Sequence, residues 1–265
     1  MEYSIFQYPF SWLTASFFSM PRLLALFSVV PLFNRQALPG LLRIGVAFSF
    51  SVFLIPSLEN ESINVMRSGS GLFVIIIKEA LLGFLIGFVI SIPLWALDVA
   101  GVYVDNQRGA SIASSINPLT GHDSSPLGEV FSQAAIVLLI ISGGITMMLT
   151  IVYDSYALWP VFKLLPNFSD QTVMVLLGLV DKLMRIAILL SAPVIFAMFL
   201  AELALGMVSR FVPQLQVFFL AMPLKSAIAF FILSVYMANL MRNLSHEIDA
   251  MYEIVLSVVK SIFIY

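Results

Sequence analysis

The chain has 265 residues, of which 60% are hydrophobic and only 11% charged, with a mean hydropathy of +1.02 and a net charge of -2. About a quarter of residues are charged in a typical soluble domain, so a soluble fold could not hide this apolar surface. The near-neutral balance without a basic cluster excludes a nucleic-acid surface, and the absence of cysteine removes disulfides, thiolate nucleophiles and sulfur metal ligands.

Met1 to Phe10 holds Glu2 and no Lys or Arg, so it lacks the basic flank of a cleaved signal peptide, and the first apolar run is expected to be retained. Six apolar runs follow: Phe10 to Phe33, Leu38 to Leu58, Gly71 to Val104, Val130 to Val152, Val173 to Gly206, and Val212 to Met241. Each has about the 20 residues, or more, that a helix needs to cross the hydrocarbon core of a bilayer. Transmembrane strands would show about ten-residue alternating segments instead, so the expected fold is all-α, with about six hydrophobic helices. Pro21, Pro93, Pro193 and Pro223 lie inside these runs and predict kinks, because proline removes a backbone donor and crowds the preceding turn.

Gly83-Phe-Leu-Ile-Gly87 has the GxxxG spacing that lets two helices approach closely, a pattern that also arises by chance in a long apolar chain. Loops are expected at Asn34 to Ala37, Glu59 to Ser70, Asp105 to Gly128 and Asp154 to Gln171. Their Arg35, Arg67, Arg108 and Lys163 are spread too evenly to set a membrane orientation. After the last run, Ile248, Met251, Tyr252, Val255 and Val259 recur at helical spacing against His246, Glu247, Asp249, Glu253 and Lys260. This predicts a C-terminal amphipathic helix over Asn243 to Lys260, for the membrane surface or for a partner.

Lys78, Glu79, Asp98, Arg185, Glu202, Arg210 and Lys225 sit in or beside apolar runs, where an unpaired charge costs several kcal/mol, so they need partners or water. Adjacent Lys78 and Glu79 point about 100° apart on a helix, and each is expected to pair with another element. Glu202 and Arg210 lie two turns apart on one face, and with Lys225 they suit a shared polar layer. Such charges serve either as buried or intersubunit pairs, or as the ion relay of an autonomous secondary transporter. No enzyme motif stands out: the HExxH spacing from His246 fails at Ala250, and no nucleophile elbow or phosphate-binding glycine loop is present. No metal or cofactor is expected.

From Trp95 the chain reads WALDVAGVYVDNQRGASIASSINPLTGHDSSPLGEVFSQ, an abrupt passage from an apolar helix into small and polar residues. Gly109 and Gly121 tolerate positive φ and Asn117-Pro118 favours a turn, so helix is not expected to continue through this stretch. Irregular backbone of this kind lies either outside the bilayer or along a cavity.

Asp105-Asn106-Gln107-Arg108-Gly109-Ala110, followed by Ser114-Ser115-Ile116-Asn117-Pro118, resembles the signature of the SctT family of type III secretion export-apparatus proteins, relatives of flagellar FliR. Further blocks fall in family order: Pro93 to Leu97, Tyr156 with Trp159-Pro160, Ala201-Glu202, Ser209 to Pro213, and Ala221 to Ala227. The DNQRGA form is closer to the virulence branch.

The resemblance implies a non-enzymatic, single-copy subunit of an export gate in the bacterial inner membrane, projecting toward the periplasm. Residues 1–265 would form one export-apparatus domain, SctR-like over about 1–128 and with an SctS-like hairpin in about 129–265. Implied partners are SctR-like and SctS-like subunits, SctU-like and SctV-like proteins, inner-rod or needle-adaptor proteins, unfolded substrates in transit and membrane lipid. Asp105, Asn106, Gln107, Arg108, Gly109, Ala110, Ser111, Ser114, Ser115, Asn117 and Pro118 would then belong to a plug in a hetero-oligomeric helical pore. Lys78, Glu79, Glu202, Arg210 and Lys225 would make buried or intersubunit polar contacts.

Overall fold

The computed structural model describes residues 4–34, 38–58, 71–110, 125–163, 170–212 and 217–263. Among these the chain is helical and without strands: α1 (Ser4–Val29), α2 (Gly40–Ser51), α3 (Leu72–Arg108), α4 (Pro126–Ile141), α5 (Gly144–Leu158), α6 (Asp170–Phe211) and α7 (Val217–Phe263), with short 3₁₀ turns at Pro31–Phe33 and Val52–Leu54. Among the described residues, five stretches are long and apolar enough to cross a bilayer, or six when the bent pair α4–α5 counts as one span. This is the expected class and number.

Boundaries differ in detail from those expected, and the loop expected from Asp154 begins only after Leu158, the last residue of α5. Helix α3 runs past the apolar stretch to Arg108, so the DNQR residues form its last turn instead of opening a loop. The run Val130 to Val152 is divided at Ser142–Gly143, where Gly143 takes a φ of +78° that a side-chain-bearing residue rarely adopts. The amphipathic segment Asn243 to Lys260 is helical and continuous with the apolar helix before it, within the 47 residues of α7. Pro93, Pro193 and Pro223 lie inside α3, α6 and α7, which continue on both sides of each proline.

The chain divides into two compact units, residues 1–91, 145–177 and 251–265, and residues 92–144 and 178–250. In the first, α1 crosses the early part of α3 at the GxxxG pattern. A Cβ on Gly83 would run into the backbone carbonyl of Arg22, and one on Gly87 would lie 3.1 Å from the Leu26 carbonyl oxygen. The pattern therefore marks a real backbone approach, in which the missing side chains let main chains touch. Phe18, Leu23, Leu26 and Phe27 of α1 are buried, and the Tyr153 hydroxyl of α5 donates to the Phe50 carbonyl of α2 at 3.1 Å.

In the second unit, α6 and α7 form an antiparallel pair tied at two levels. Lys182 Nζ lies 2.8 Å from Glu247 Oε2, and Lys225 Nζ lies 3.4 Å from Glu202 Oε2. Cation and anion exchange helices between the two levels, so sliding one helix along the other would break both pairs. In the same unit α3 meets α4 at Gly101, whose Cβ would fall 2.6 Å from the Gly128 nitrogen.

Candidate functional site

Two polar constellations interrupt the apolar surfaces, one in each unit. In the second unit, the last turn of α3 carries four consecutive polar side chains, three of which bond other side chains. Asp105 is buried, and its two carboxylate oxygens accept three bonds. Oδ1 takes the Arg108 Nε–H at 2.7 Å, while Oδ2 takes the Ser125 hydroxyl at 2.6 Å and the Leu127 backbone N–H at 2.9 Å. Ser125 is the N-cap of α4 and its Oγ accepts from Gly128 N at 3.0 Å, while Pro126 has no N–H to satisfy. The first turn of α4 is thus capped jointly by its own serine and by a carboxylate from α3, negative charge at the positive end of a helix.

Gln107 Nε2 donates to Glu202 Oε2 on α6 at 3.3 Å, the same oxygen that Lys225 of α7 approaches. The Arg108 guanidinium lies over the Phe230 ring of α7, 5.3 Å from its centroid. Asn106 is exposed and its carbonyl accepts the Gly109 N–H at 3.2 Å. Gly109, with φ +88°, then turns the chain out of the helix, and Ala110 is half-buried. Ser111, Ser114, Ser115, Asn117 and Pro118 lie outside the described residues. The structure thus joins Gln107, Glu202 and Lys225, whereas Arg210 is exposed near the end of α6 and joins no ion pair among the described residues.

The constellation in the first unit centres on a residue that the sequence did not single out. Arg22 of α1 is fully buried and grips Glu79 of α3 with two bonds, Nε to Oε2 at 2.8 Å and NH2 to Oε1 at 2.9 Å. Its NH1 donates to Ser155 Oγ at 2.9 Å, its NH2 also reaches the Trp159 carbonyl at 3.1 Å, and its plane stacks 3.9 Å from the Tyr156 ring centroid. Lys78 Nζ lies 2.8 Å from Glu79 Oε1 and donates to the carbonyls of Pro160, Val161 and Lys163 at 3.3, 2.5 and 3.0 Å.

Lys78 and Glu79 therefore pair with each other as well as with other elements. Both belong to a buried network within this chain, which holds residues 159–163 just beyond α5. The sequence signal for Arg22 was an arginine directly after Pro21 inside an apolar run. Its partner lies 57 residues away, beyond any helical spacing. No group of three or more metal-ligating side chains occurs among the described residues.

The model of the family described as bacterial export proteins, family 1, matches residues 13–251. The chain is 40% identical over 227 residues to the Yop proteins translocation protein T of Yersinia pestis, covering 85% of this chain and 87% of the relative. It is 34% identical to the secretion system apparatus protein SsaT of Salmonella typhimurium (91% and 93% covered). To the flagellar biosynthetic protein FliR of Bacillus subtilis it is 33% identical (82% and 83% covered).

Proposed function

The chain belongs to the bacterial export proteins, family 1, and from that membership we propose that it is a non-enzymatic subunit of a type III secretion export gate. It would help to form and close the channel through which unfolded proteins cross the bacterial inner membrane. The higher identity to the Yop translocation protein than to FliR supports the virulence branch. The proposed partners are SctR-like and SctS-like subunits in the gate, with SctU-like, SctV-like and inner-rod or needle-adaptor proteins around it. The SctR-like and SctS-like parts of the chain would occupy about 1–128 and 129–265.

The observation that carries the assembly reading is length against exposure. Helices of 42 and 47 residues are about 60 and 70 Å long at 1.5 Å per residue, roughly twice the hydrocarbon thickness of a bilayer. Large apolar side chains are exposed along α6 from Met174 to Phe211, roughly 55 Å of helix, and along α7 from Phe219 to Val235, roughly 24 Å. A bilayer about 30 Å thick would cover the α7 stretch but only about half of the α6 stretch, and protein partners would cover the remainder. Partners of similar apolarity would bury these faces as lipid would, which is why hydropathy reads them as spans.

The segment between Gly109 and Ser125 would serve as the plug, since its Ser, Gly and Ala side chains offer a passing chain little bulk or apolar adhesion. Two measurements test the reading. Co-expression with SctR-like and SctS-like subunits, followed by native mass measurement in mild detergent, should give a hetero-oligomer holding one copy of this chain. A stable assembly of this chain alone would support the transporter reading of Glu202, Arg210 and Lys225. Shortening residues 111–124 in the assembled complex should make the membrane leak small solutes, and an intact ion barrier would refute the plug.

A further inference from the structure

We infer that Asp105 is a positioning residue of the gate: one buried carboxylate that ties the last turn of α3 to the first turn of α4 and so fixes both ends of the segment between them. The effect on transport rests on the gate reading; the tie itself does not. The two oxygens of Asp105 receive donors from both sides of that segment, Arg108 before it and Ser125 and Leu127 after it. Ser125 has no freedom of its own, because the hydroxyl that donates to Asp105 accepts from Gly128 in the same turn. Below the tie, the backbone approach of Gly101 to Gly128 holds the two helices together.

The chemistry calls for an ionised carboxylate and for this length of side chain. Asparagine offers one acceptor oxygen and would turn an N–H₂ group toward Arg108, a donor facing a donor. Glutamate would force an extra methylene into a site where Asp105 is only 2% exposed. A neutral residue of the same shape therefore fails on the Arg108 side, which separates this role from simple space filling.

The test uses the full chain assembled with its partner subunits. The absence of cysteine from this chain allows spin labels on a single introduced pair, Ala110→Cys just after the last turn of α3 and Glu129→Cys in the first turn of α4. With Asp105 present the inter-label distance should form one narrow peak. Asp105→Ala and Asp105→Asn should both broaden it while native mass shows the complex intact, and ion flux through the complex should rise.

A peak as narrow in Asp105→Ala as with Asp105 would overturn the assignment. Broadening without a rise in flux would leave the tie standing and remove the plug. Should Asp105→Ala fail to assemble, the isosteric Asp105→Asn decides alone, and an unchanged peak there would overturn the assignment.

Discussion

A guanidinium with no exposure to solvent, as at Arg22, is tolerable only if its charge and its N–H groups are answered locally. Glu79 answers the charge side-on, while Ser155 and the Trp159 carbonyl take further donors and Tyr156 covers the face. Two cations share one carboxylate here. The surplus positive charge sits at the carbonyl-rich end of α5, where the helix dipole favours it. Arg22→Met would leave Glu79 half-answered in an apolar surrounding. Removing one member of a buried pair costs about 3–5 kcal/mol, so the denaturation midpoint of the purified complex should fall sharply. Arg22→Lys should recover only part of that loss, because an ammonium cannot reproduce the two-point grip or the stacking.

Between helices the decisive residues are those without side chains. Gly101→Ala would press a methyl group onto the backbone of Leu127 and Gly128, and neither helix can yield without moving. Overpacking of this kind costs about 1–3 kcal/mol and should lower the thermal stability of the complex. The α6–α7 pair offers a test of register. Lys182→Glu or Glu247→Lys alone should lower stability by up to about 1 kcal/mol, since both side chains are about one-third exposed, and the double exchange should restore it. The small size of the effect suits a role in choosing register more than in supplying stability.

At the scale of the whole molecule, the exposed apolar side chains of α6, from Met174 to Phe211, outrun the bilayer, and the chain should be a poor monomer. Expressed without its partners, it is expected to aggregate or be degraded, and co-expression should raise its yield in membranes, as immunoblotting of membrane fractions would show. Recovery of equal amounts of soluble-in-detergent monomer would count against obligate assembly. Membrane proteins whose helices are completed by neighbours carry this dependence in their exposed surface, which single-chain packing leaves open.

Much of this was already legible in the amino-acid sequence. Helical class, the number of long apolar stretches, the change of character after Val104 and the family blocks depend on what each residue is and on its near neighbours, and local apolarity and spacing report them directly. The close contact at Gly83 was signalled by its pattern but not guaranteed by it. What each charge pairs with was decided only by tertiary structure. Arg22 meets Glu79 across 57 residues, and Asp105 meets Leu127 across a break in the helix. A charge in an apolar helix announces that it needs a partner. Which partner it receives depends on where helices cross, and that is set by backbone approach at residues such as Gly83 and Gly101, not by any spacing along the chain.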